Sequence, residues 1–176
     1  MRLRTMIHDR RNHPYFAALV ASVLVLTSGT TASGNADGQG PEGVWFDHTK
    51  RGAVEIFKCG RALCGRIVWM KNPLKPSGKP FRDLRNSDKS LRNRTICGMQ
   101  MIGELRKTGR RTWQGGWIYD PERGQSFSLQ VIQRGKDRLT ITGYLLAPAF
   151  GKSFRWVRAP EDVDRCEETV KAALAK

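Results

Sequence analysis

Histidine is scarce in this chain: three in 176 residues, with only His48 beyond residue 36. A lone imidazole has no second histidine with which to hold a zinc ion. No G-x-S-x-G or H-E-x-x-H string occurs either, so a triad hydrolase or zinc peptidase has no residues to stand on. Beside Asp47, His48 reads as a loop residue. Acidic side chains are also few, 16 against 31 Lys and Arg, for a formal net charge of +15. The most apolar stretch, residues 15–26, is short; a bilayer-spanning helix needs roughly 20 residues. No Cys closely follows it, which leaves no lipoprotein anchor. The four Cys include no C-x-x-C redox pair and no flanking His of a zinc site.

What is present at the N-terminus is Arg2, Arg4, Arg10 and Arg11, then that short apolar run, then small residues through Ala36. This order is that of a cleavable secretory signal. Residues 1–36 are therefore expected to leave, and residues 37–42 to form a flexible lead-in. Without residues 1–36 the chain keeps 27 basic and 15 acidic residues, a net +12. That balance favours anionic neighbours; export to the periplasm or beyond excludes a genomic nucleic acid. About 140 residues suit one domain.

Export also makes the cysteines disulfide candidates. The stretch Val54-Glu-Ile-Phe-Lys-Cys59 alternates apolar and polar side chains, and residues 66–69 do so again. Setting Cys59 against Cys64 fixes a hairpin register with Ile56 opposite Ile67, Val54 opposite Trp69 and Phe57 opposite Arg66. One face is then apolar, and the other carries the charges and both sulfurs. Cys97 and Cys166 remain as a second pair.

Further strands are expected at Gly43-Val-Trp45-Phe46, at residues 112–119, at residues 126–131 with Phe127 and Leu129 alternating with serines, at residues 139–145 and at residues 153–158. Gly115 and Gly116 inside a strand mark a bulge, a bend or a close backbone approach. Residues 96–102 read as strand or helical turn, and residues 103–111 as a charged connection. Residues 72–93, with three prolines, form a long loop that is either functional or a mobile flap. Seven or eight strands joined by short turns close into an up-and-down barrel or fold into a sandwich, here over residues 43–160. After Pro160, Val163, Cys166, Val170 and Leu174 recur at helical spacing, so residues 161–176 form a short C-terminal helix.

The strings Gly43-x-Trp45, Cys59-Gly-x-x-Leu-Cys-Gly-Arg-Ile-Val-Trp69, Gly78-x-Pro80, Asp83-x-x-Asn86 and Trp113-x-Gly-Gly-x-Ile-Tyr-Asp-Pro121 together resemble exported bacterial proteins of domain of unknown function family 2147. The likeness runs from Gly43 to Arg158. Its members are similar in fold to lipocalins and fatty-acid-binding proteins, so the resemblance implies a mainly β chain closed into an antiparallel up-and-down barrel. It implies no established activity. It also implies that Trp45 plugs one end beneath a late basic side chain, Arg158 first and Arg155 second.

Asp83 and Asp88 are the nearest approach to a paired-carboxylate site, and turn capping or pairing with Arg82, Arg85 or Arg92 is the plainer reading. No enzyme activity and no cofactor or metal are expected. Eight-stranded barrels either fill with side chains or hold one small ligand. The expected function is non-catalytic binding of a small apolar or amphipathic ligand by Ile56, Ile67, Trp69, Trp113, Trp117 and Phe127; packing of those aromatics in a solid core is the competing expectation. The alternative function is an envelope module in which Lys71, Lys75, Lys79, Arg82, Arg85 and Arg92 meet anionic lipid or polymer. Oligomeric state is not legible.

Overall fold

A computed structural model describes residues 40–175. The expected signal segment and residues 37–39 of the lead-in lie outside the described residues. Eight antiparallel strands follow one another: β1 (Gly43–Phe46), β2 (Gly52–Cys59), β3 (Ala62–Met70), β4 (Gln100–Gly109), β5 (Thr112–Asp120), β6 (Gln125–Gln133), β7 (Arg138–Tyr144) and β8 (Lys152–Arg158). Each pairs with its neighbour in sequence, and β8 returns to β1 through Trp45 opposite Arg158, so the sheet closes into a barrel. Closure removes the open sheet edges that would otherwise template aggregation. One helix, α1 (Cys166–Leu174), follows the barrel. It begins later than expected; residues 161–165 are not helical.

The β2–β3 hairpin pairs two residues away from the expected register. Val54 faces Ile67, Glu55 faces Arg66, Ile56 faces Gly65 and Cys59 faces Ala62. The reason is a tighter turn. Gly60 takes φ +65°, which a two-residue hairpin turn demands and which Gly adopts without a Cβ penalty. Cys59 and Cys64 are then diagonal neighbours on the outer face, and their sulfurs are bonded with Cα atoms 5.8 Å apart. A two-residue shift keeps each side chain on its face, so Val54, Ile56 and Ile67 still point inward.

Among the sheet's bulges, two change the faces of expected site residues. Val54 pairs with Ile67 but Ala53 with Trp69, so β3 carries one extra residue, the fully buried Val68. In β5, Trp113 pairs with Val131 but Gly116 with Leu129, leaving Gly115, φ +73°, as the extra residue. An extra residue inverts the in–out alternation beyond it. Trp69 therefore turns outward against Phe46, ring centroids 5.2 Å apart. Trp117 turns outward over Gly103, where an added Cβ would collide with the indole. Residues 103–109 belong to β4 rather than to a loop; Glu104, Arg106 and Lys107 are exposed on a strand that buries Ile102 and Leu105.

The long β3–β4 connection is tied down. Buried Asp83 accepts hydrogen bonds from Tyr119 Oη (2.6 Å), Asn86 Nδ2 (2.7 Å) and Arg94 Nε (2.9 Å). Burial pushes its carboxyl up, but these three donors outweigh that and hold it below the usual range. The Tyr119 hydroxyl is correspondingly raised, by burial first and by Asp83 second. The C-terminal segment is fastened twice. Cys166 is bonded to Cys97 across 69 residues. Glu55 on β2 receives Arg165 at 2.8 Å and Arg66 at 2.9 Å. The Arg165 hydrogen bonds, against a smaller desolvation and with help from Arg66, lower Glu55 from 4.5 to about 2.

Candidate functional site

The two ends of the barrel differ. At one end Trp45 is fully buried, and its Nε1 donates to the Pro41 carbonyl at 2.7 Å. The Arg158 guanidinium lies over the indole at 4.1 Å from the ring centroid. Its Nε donates to the Lys136 carbonyl at 2.9 Å and Nη1 to the Glu42 carbonyl at 3.2 Å. The β1–β8 pairing sets these two side chains on adjacent strands. Beside them Ile56, Leu63, Leu105, Trp113, Leu129 and Leu139 form a packed core.

At the other end the interior is open. A cavity of about 670 Å³ runs inward between walls of Val54, Ile67, Ile118, Phe127, Ile141 and Trp156. Gly143 on β7 also lines it; a Cβ there would meet only ordinary contacts, the nearest at 3.6 Å from Phe127. The mouth is charged. Arg51, Lys71, Arg82, Arg123 and Lys152 stand around it, with Asp47, Asp120 and Glu122 as the acidic members. His48 is at this rim, stacked on Phe154 with centroids 4.2 Å apart; a count of histidines alone does not reveal that place.

Of the six expected binding residues, Ile67 and Phe127 line the cavity. Ile56 and Trp113 lie in the packed half, and Trp69 and Trp117 are on the outer face, moved there by the bulges. Sequence reasoning missed Val54, Ile118, Ile141 and Trp156. The alternation around Ile141 and Trp156 carried a signal for two of them. Gly115 and Gly116 do not open the cavity. Gly115 makes the bulge, and Gly116 lets β4 approach so closely that a Cβ would stand 2.4 Å from the Gly103 carbonyl oxygen.

Asp83 and Asp88 do not form a pair: Asp83 is engaged by Tyr119, Asn86 and Arg94, while Asp88 accepts from Ser90 N at 2.9 Å. In the basic connection, Arg82 donates to the Asn93 carbonyl, Arg85 to the Glu122 carbonyl and Arg92 to the Asn86 carbonyl. These guanidiniums hold loop backbone.

An eight-stranded up-and-down barrel, plugged by a Trp–Arg pair and hollow at the other end, is a lipocalin-like fold. Comparison with known sequences agrees with the architecture. Residues 43–158, from the first residue of β1 to the last of β8, match the family described as "uncharacterized protein conserved in bacteria (DUF2147)", and the chain belongs to it. Among solved structures it is similar to protein HP1028 from the human pathogen Helicobacter pylori, described as belonging to the lipocalin family. The two share 24% identity with a TM-score of 0.59, covering 76% of this chain and 88% of that one. At this identity the likeness speaks for the fold. No curated protein matches the chain.

Proposed function

We propose that the protein is a non-catalytic binding protein that takes one small apolar or amphipathic ligand into the open half of its barrel, in the bacterial periplasm or outside the cell. The observation that carries this reading is the 670 Å³ cavity with an apolar wall and a charged mouth. Its size falls within the roughly 300–1,000 Å³ typical of small-molecule sites. Burial of a chain or ring against Ile67, Ile118, Phe127 and Ile141 supplies the affinity. The rim cations suit a negatively charged head left near water. Two disulfides fit an oxidising compartment. No described helix is long and apolar enough to cross a membrane.

Native mass spectrometry of protein purified from its own cell envelope tests the reading. A copurified lipid-sized species, bound one to one, supports it. Repeated recovery of empty protein that also takes up no added fatty acid overturns it.

A further inference from the structure

The connection between β7 and β8 is unlike the other loops. Residues 144–150 read Tyr-Leu-Leu-Ala-Pro-Ala-Phe, with no charge, and end in a short 3₁₀ turn, Pro148–Phe150. Leu145 is 76%, Leu146 90% and Phe150 86% exposed. Large apolar side chains left this far in water, three together, mark an interaction surface. The loop has a defined shape. Phe150 N donates to the Ala147 carbonyl and Gly151 N to the Pro148 carbonyl, each at 3.0 Å. Gly151 lies so near β7 that a Cβ would stand 2.7 Å from Thr142 Cγ2.

The loop also stands at the cavity mouth. Gly143 before it and Lys152 after it both line the opening. Exposed Arg51, Lys71 and Lys152 stand at the same rim, where five cations outnumber the acidic Asp47, Asp120 and Glu122. An apolar tip framed by cations is complementary to a surface with anionic head groups outside and hydrocarbon within. A second copy of the chain fits less well, since two such rims bring like charges together.

We propose that the open end of the barrel docks on an anionic lipid bilayer, with Leu145, Leu146 and Phe150 entering the interface and the rim cations meeting the head groups. The cavity then opens toward the membrane. This rests on the loop and the rim rather than on what fills the barrel.

The test is sedimentation of the purified protein with vesicles of phosphatidylglycerol and phosphatidylethanolamine, against vesicles of phosphatidylcholine alone. Binding is expected to the anionic vesicles, weakening as salt rises. The double variant Leu146→Asp/Phe150→Asp is expected to bind at least about tenfold more weakly, with an unchanged near-ultraviolet circular dichroism spectrum. Lys71→Glu/Lys152→Glu is expected to lose the preference for anionic lipid. Uptake of cis-parinaric acid by Leu146→Asp/Phe150→Asp, whose two positions lie outside the cavity lining, is expected to match the wild type, so docking and ligand uptake fail separately. Equal sedimentation of wild type and the Asp double variant overturns the proposal. So does a wild-type dimer that the Asp double variant converts to monomer without any vesicle binding by either.

Discussion

Arg158 does three things at once: it covers the Trp45 ring, donates to two loop carbonyls, and stands 3.6 Å from Asp137. The cation–π contact is worth about 0.5–2 kcal/mol, and two charged hydrogen bonds at a partly exposed site add to it. Arg158→Ala is therefore expected to lower unfolding free energy by about 2–3 kcal/mol, read from the urea midpoint. Arg158→Lys should recover less than half, because an ammonium lacks the planar fork that reaches both carbonyls. Asp83 and Glu55 belong to the same scale. Both carboxyls are held below their ordinary values in the folded protein. Their contribution is therefore complete above the ordinary carboxylate range and is lost as pH falls through the lowered values. The Glu55 part disappears between pH 4.5 and about 2. Urea midpoints are expected to fall over that window, and to fall less in Glu55→Gln, which has already lost the charge.

At the scale of elements, seven of the eight strands were legible because alternation of apolar and polar side chains is written directly into the chain; β4 was not, because its charged half reads as a connection. Val54, Ile56 and Ile67 face inward as their period of two demands. The bulges at Val68 and Gly115 were not legible as phase changes. Each inserts one residue, and a count by twos carries straight across the insertion with the wrong sign. That is why Trp69 and Trp117, both placed in the binding site by alternation, lie outside it. The pair Gly115-Gly116 did announce an irregularity, but not which of the two would form it. The hairpin pairing was misjudged because opposite and diagonal cysteines satisfy a disulfide equally well. The two disulfides differ in what they close. Cys59–Cys64 spans 5 residues and Cys97–Cys166 spans 69. By loop-closure entropy the first contributes about 2 kcal/mol and the second about 4. Guanidinium unfolding of Cys59→Ser/Cys64→Ser and Cys97→Ser/Cys166→Ser should reproduce that order. The second variant should also free α1, seen as loss of its share of far-ultraviolet ellipticity.

For the whole molecule, the division into a packed half and a hollow half matters most. Trp45 and the large side chains beside it leave no room at the plugged end. Beyond Ile67 and Ile141 the wall residues line open space instead of filling it. The strand pattern predicts seven or eight strands in a barrel or a sandwich, and the family resemblance implies the barrel, but neither gives its occupancy, because the same apolar residues serve a core or a cavity. Residues 147–151 read as a turn, but the exposure of Leu145, Leu146 and Phe150 was not legible for a related reason: Leu145 continues the pattern of β7, and only the folded chain shows that these side chains leave the wall.

The most direct measurement is a titration of lipid-stripped protein with the fluorescent fatty acid cis-parinaric acid, for the wild type and for Gly143→Trp. The wild type is expected to saturate at one ligand per chain. In Gly143→Trp the indole occupies the space, and affinity is expected to fall by at least about tenfold with the fold retained. No saturable uptake by the wild type, or equal affinity in the two proteins, would contradict the hollow barrel as the binding site.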